Sequence, residues 1–166
     1  METEAYLGEH DAACHAAAGL TRRTEPLYGP PGIAYVYRIY GMHWCVNAVT
    51  RASGSPSAVL VRALEPLEGM ELMWERRPTA RLERDLTNGP GKLCAALAIG
   101  AAHNGLPLQR SPLLIRAGQP VPDSAVEVTP RIGITRAADW PLRYLVRDSP
   151  FVSSTPSSFP RQPYRR

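Results

Sequence analysis

The run from Ile33 to Asn47, IAYVYRIYGMHWCVN, is built largely from aromatic and β-branched residues and is broken once, at Gly41. Side chains in a strand point to opposite faces in turn, so Tyr35, Tyr37 and Ile39 share one side and Val36, Arg38 and Tyr40 the other. A glycine between two β-prone stretches supplies the positive φ of a tight hairpin, which places Tyr40 and Met42 at an exposed tip. Shorter strand patterns occur at Met1 to Tyr6, Ala58 to Leu64, Leu113 to Arg116, Ala125 to Val128, Ile132 to Thr135 and Leu142 to Val146. Helical patterns are fewer. Asp11 to Ala17 reads as a short helix with Asp11 as N-cap. Pro66 suits a first turn, after which Leu67, Met70, Met73 and Trp74 form a core-facing stripe, and a second short helix carries Arg81 and Arg84. Thr87 to Gly100 reads as a turn feeding a helix, with Asn88 as cap and Gly100 as stop. Thr21 to Gly32 is punctuated as a loop, and no internal repeat is present.

Length and composition narrow the class. The 166 residues suit one domain with a real core, and 44% hydrophobic with 20% charged residues is ordinary for a soluble globular chain. No apolar run approaches the roughly 18 residues of a membrane span. The first fifteen residues carry Glu2, Glu4, Glu9 and Asp11 without Lys or Arg, the reverse of a signal peptide, so a cytoplasmic location is expected. Cys14, Cys45 and Cys94 lack metal or redox spacing and read as reduced and mostly buried. A net charge of +4 favours an anionic partner.

Charges inside apolar runs mark the candidate chemistry. Glu4 in a strand-like segment either faces solvent or is aimed into a site. Arg62, in the middle of AVLVRAL, must reach water, a carboxylate or a ligand, and Glu4 is one available partner. The hairpin reads either as a core element with polar-tipped aromatics or as an aromatic wedge above a tyrosine-walled pocket for a nucleobase. Lys92 at the start of its helix makes either an anion site, with a DNA phosphate as the natural anion, or a simple cap. It is not a nucleotide loop, because Leu86 and Leu93 replace the glycine and the hydroxyl residue of that motif. From Ser153 the chain is Ser, Pro and Arg and reads as a mobile basic tail, with Arg161, Arg165 and Arg166 as weak DNA attractors.

METEAYLG with His15, YVYRIYGMHWCVN, VLVRALEPLEG, TNGPGKLCAALAI, and PRIGIT through RDSPFVS resemble the alkyladenine (3-methyladenine) DNA glycosylase family in order and spacing. The resemblance runs from residue 1 to about residue 153. It implies an α+β fold: a single domain with a curved, mostly antiparallel sheet, flanking short helices and a protruding aromatic hairpin. It also implies a monofunctional enzyme that flips alkylated or deaminated purines from duplex DNA and hydrolyses the N-glycosidic bond, as a monomer without metal or organic cofactor. Base flipping belongs to glycosylases as a class. Carried over by residue, Glu4 resembles the general base and Arg62 the residue that positions the water, helped by a carbonyl between Ile132 and Ile134. Tyr37 resembles one wall of the base pocket, Tyr6 and His15 the opposite wall, and Asn47 the group that crowds the amine of guanine. Tyr40 resembles the side chain inserted into the duplex, beside Met42. Family members ordinarily carry a helix and strand before ETEAY, so the glycosylase domain, residues 1–153, is expected to be N-terminally shortened, with residues 154–166 as the tail. The strand of Glu4 would then lose part of its pairing, and a non-catalytic damage-binding relic is the alternative reading. The loop AGLTRRTEP also lacks the usual Pro and Asn near Arg22 to Thr24.

Overall fold

The computed structural model describes residues 1–164; Arg165 and Arg166 of the expected tail lie outside them. Strands β1 (Glu2–Tyr6), β2 (Ala34–Ile39), β3 (His43–Val49) and β4 (Ala58–Ala63) precede helices α1 (Met70–Arg76) and α2 (Pro90–Ala96). β5 (Gln109–Arg110) and β6 (Leu113–Leu114) pair with each other, and β7 (Val126–Thr129), β8 (Arg143–Val146) and β9 (Gln162–Pro163) follow. Among the described residues, seven strands form one antiparallel sheet in the order β2-β3-β4-β1-β8-β7-β9. The molecule is an α+β domain. β1 sits at the centre of the sheet, Glu4 opposite Leu60 on one side and Arg143 on the other. The expected loss of pairing at this strand therefore does not occur.

Strand alternation sorts the core into two faces. Ala34, Val36 and Val46 pack against Leu93 and Cys94 of α2, with Ile99 and Leu108. On the other face, Tyr35 and Val49 pack with Cys14, Ala16, Leu27 and Ala58, and Tyr37 and Tyr6 lie at the edge of that cluster. All three cysteines are free and buried. Burying each large apolar side chain contributes about 1.5–3 kcal/mol, and the second face spends part of its area on tyrosines that border a pocket.

The hairpin turns at Tyr40 and Gly41, with φ of 50° and 69°, and the Met42 N–H donates to the Ile39 carbonyl at 3.1 Å. Two positive φ values match the twist of a β-hairpin. Glycine takes this conformation freely, whereas for tyrosine it costs roughly 1–2 kcal/mol. The strain presents Tyr40, 83% exposed, and Met42, 66% exposed, at the tip.

Several expected elements differ. The Asp11 to Ala17 helix is instead a set of turns and a 3-10 turn at His15–Ala18, capped by Cys14. The Asp11 side chain accepts the Leu7 and Ala13 N–H groups, each at 3.1 Å, and is held by Arg131, which a helix N-cap could not also satisfy. The Thr21 to Gly32 loop contains a 3-10 turn at Glu25–Tyr28 that buries Leu27. α1 starts at Met70, not at Pro66, and of its expected core stripe Met73 is buried while Leu67 is 80% exposed. A helix of 7 residues has too few turns to sink a long stripe. The following short helix is a 3-10 turn, Glu83–Leu86, that excludes Arg81. α2 ends at Ala96 rather than at Gly100, and Gly89, not Asn88, stands at its N-cap. Ile132 to Thr135 form no strand, since Gly133 turns at φ 77° and the Ile132 N–H is claimed by a carboxylate. In the segment expected to be a tail, β9 pairs with β7, Arg161 lies 3.3 Å from Glu127, and Thr155 accepts from Arg143 at 2.8 Å. No helix among the described residues is long and apolar enough to cross a membrane.

Candidate active site

Glu4 is wholly buried, which excludes the solvent-facing reading. Its Oε1 accepts the Ile132 N–H at 2.8 Å and lies 3.3 Å from Arg62 Nη1; its Oε2 accepts the Tyr6 hydroxyl at 3.0 Å. Burial and the neighbouring Glu4 carboxylate push the Tyr6 phenol well up, so this hydroxyl stays a donor. Arg62 is 7% exposed and gives its Nε to Glu2 Oε1 at 2.8 Å. Its charge is thus shared between two carboxylates, Glu4 being one of the partners its position in the run allowed. Burial disfavours the guanidinium, but Glu4 and Glu2 keep it charged.

Above this cluster opens a pocket of about 310 Å³ bordered by Tyr6, His15, Tyr37, Asn47, Arg62 and Ile132. Such a volume is at the small end of ligand sites. Glu4 itself does not border the pocket, but Tyr6, Arg62 and Ile132, which hold its carboxylate, do. Tyr40 borders the pocket from the hairpin side, whereas Met42 does not contribute to its wall. Asn47 is 3% exposed and fixed by donating Nδ2 to the Tyr35 carbonyl at 3.1 Å. The structure thus brings Glu4, Arg62, Tyr6, His15, Tyr37, Asn47 and Tyr40 together.

His15 sits differently from the expected arrangement of opposing walls. Its ring stands edge-on to Tyr37 with centroids 4.4 Å apart, so the two rings touch rather than flank a base-sized slot. His15 Nδ1 lies 2.8 Å from the Tyr35 hydroxyl, and Arg23 Nη2 donates to Nε2 at 3.4 Å. Guanidinium has no acceptor, so Nε2 accepts and Nδ1 carries the proton of the neutral ring. Burial and the Arg23 charge depress the imidazole to about 4. Arg23 also stacks over Tyr37 at 5.6 Å.

Lys92 is half-buried and donates Nζ to Asn88 Oδ1 at 2.7 Å. Pro90, which opens α2, borders the pocket, and a Cβ added at Gly91 would meet the His43 Cβ at 3.1 Å, so the start of α2 abuts the hairpin next to its turn. This packing puts the start of α2 beside the hairpin turn, but the Lys92 ammonium is engaged by Asn88.

Three supporting groups escaped the sequence reading. Glu2 is 1% exposed and bonds both Arg62 and Arg143. Arg131 grips Asp11 at 2.6 and 2.8 Å, donates to the Ala5 carbonyl at 3.0 Å, and lies 4.7 Å over the Tyr6 ring. Arg143, an arginine inside a strand run like Arg62, carried the same signal. Among the described residues, no group of three His, Cys, Asp or Glu side chains could hold a metal ion.

The profile of the methylpurine-DNA glycosylase family matches residues 1–150. A protein of Myxococcus xanthus named "Putative 3-methyladenine DNA glycosylase" is 53% identical over 166 residues, covering 98% of this chain and 80% of its own. Proteins of the same name from Chlorobaculum parvum and Methanocella arvoryzae are 46% and 47% identical, covering 98% and 92% of this chain and 77% and 78% of theirs.

Proposed function

The chain belongs to the methylpurine-DNA glycosylase family, and on that premise we propose that it flips alkylated or deaminated purines out of duplex DNA and hydrolyses their N-glycosidic bond. The observation that carries this reading is the buried Glu4 carboxylate, bonded by Ile132, Arg62 and Tyr6, three residues that border a pocket lined by tyrosines.

In this reading Tyr40 enters the stack where the target base was. Flipping costs a few kcal/mol, roughly, and least for a damaged base; stacking on aromatic walls returns about 1–3 kcal/mol per base. The two nearly balance, which leaves selection to the lesion. A purine alkylated at N3 or N7 is cationic and is drawn to the faces of Tyr37 and Tyr6. His15, neutral at physiological pH, adds no opposing charge. Asn47, pinned by the Tyr35 carbonyl, crowds the exocyclic amine of ordinary guanine. Glu4 takes a proton from water as the water oxygen bonds to C1′; the glycosidic electron pair leaves with the purine, giving a free base and an abasic sugar. Arg62 and a carbonyl of Ile132 to Ile134 hold the water. Lys92, released from Asn88, meets a backbone phosphate.

The test is single-turnover base release from duplexes carrying one hypoxanthine, ethenoadenine or N-methylated purine. Release of free purine with an abasic strand left intact supports the reading. Tight binding of lesion duplex with no release of any of them contradicts it and favours the damage-binding relic.

A further inference from the structure

Glu2 lies one strand repeat from Glu4, on the same face of β1. Its carboxylate is crowded with donors. Oε1 accepts Arg143 Nε at 2.6 Å, the Ser153 hydroxyl at 2.7 Å and Arg62 Nε at 2.8 Å, and Oε2 accepts the Ser153 N–H at 2.6 Å. Burial works against this anion, yet Arg143 and Arg62 hold its carboxyl below the usual carboxylate range. Glu2 does not border the tyrosine pocket. Any influence on chemistry passes through Arg62, whose Nε bond to Glu2, 2.8 Å, is shorter than the 3.3 Å from its Nη1 to Glu4.

We propose that Glu2 is a positioning residue that holds the Arg62 guanidinium through Nε and so prevents it from closing fully onto Glu4. The inference rests on the reading of Glu4 as the general base. The other groups facing Glu4 leave this balance to Glu2. On its own strand stands the Tyr6 hydroxyl, from β3 the Cys45 thiol, from β8 Arg143, whose guanidinium is taken by Glu2, Thr129, Thr155 and the Ser153 carbonyl, and from the segment after β7 the Ile132 N–H and Arg131. Arg131 is matched by Asp11 in a two-pronged pair. Arg62 is the cation in direct contact with Glu4, and Glu2 is its other carboxylate. Without the Glu2 charge, Arg62 turns to Glu4 alone, and an unshared cation stabilises the ionised carboxyl and makes it a weaker base.

The experiment is the pH dependence of single-turnover hypoxanthine release by the full chain. Wild type should lose release in acid, and Glu4→Gln should be inactive at every pH. Failure at this stage overturns the glycosylase reading itself, before Glu2 is tested. With both in hand, Glu2→Gln should show its acid limb displaced downward by about one pH unit and a lowered plateau, with affinity for lesion duplex retained. Loss of packing alone lowers the plateau without moving the limb. A folded Glu2→Gln whose limb coincides with wild type or moves upward overturns the inference. If Glu2→Gln does not fold, Ser153→Ala decides. That hydroxyl also accepts Arg62 Nη2 at 3.5 Å, so its removal also releases Arg62 toward Glu4 and the limb should move downward; a limb that stays or moves up overturns the inference.

Discussion

The His15 ring meets Tyr37 edge-on, at 4.4 Å between centroids and 72° between planes, and its Nε2 is covered by Arg23. The Tyr35 hydroxyl, 2.8 Å from Nδ1, holds the same ring from the other side, so His15 is fixed by three neighbours.

The environment of His15 has a direct spectroscopic signature. Burial and Arg23 place its titration near 4 instead of the ordinary 6.5. NMR titration of the His15 imidazole should find a midpoint near 4, and a midpoint at 6 or above would contradict the described contacts. The unfolded chain takes up this proton near pH 6.5 and the folded chain only near 4. His15 therefore contributes a loss of stability as pH falls from 6.5 toward 4, and none above that window.

Tyr40 separates stability from function. Its left-handed φ and 83% exposure mean that the fold gains nothing from its ring. Tyr40→Gly relieves strain while adding unfolded-state entropy, two effects of about 1 kcal/mol each with opposite sign. Thermal melting should be nearly unchanged, and binding to lesion duplex should weaken clearly. Unaltered binding would remove the wedge assignment.

Arg131 and Asp11 are both about fully buried and joined by two bonds. Removing one partner of such a pair leaves an uncompensated charge and costs about 3–5 kcal/mol. Asp11→Ala should lose stability of that size in urea denaturation. A loss under about 1 kcal/mol, the scale of a surface pair, would show that water reaches Arg131.

What could be read from the chain was local or anomalous. Strand alternation put Tyr35 and Tyr37 on one face and Val36 on the other, because a two-residue period needs no partner to be legible. Glu4 and Arg62 stood out as charges inside β-type runs, where burial demands compensation. Glu2 and Arg143 obey the same rule, and their pairing is visible only once β1 lies between β4 and β8. Arg131 and Asp11 are 120 residues apart, so Asp11 resembled an ordinary helix cap. The α1 stripe failed for a different reason: spacing predicts which side chains share a face, and not whether a partner covers that face. Ile132 to Thr135 has strand composition, but Gly133 bends the chain and Glu4 takes the Ile132 N–H. The contact of His15 with Tyr37 depends on how a 3-10 turn docks on β2, which sequence spacing does not encode.

The proposed reaction turns on Glu4 as the base that activates water. Single-turnover base release and lesion-duplex binding should be measured side by side for wild type and Glu4→Gln, which preserves volume and hydrogen-bonding capacity but cannot accept the proton. Glu4→Gln should bind lesion DNA as wild type does and release no base. Base release by Glu4→Gln at a rate close to wild type would contradict that role.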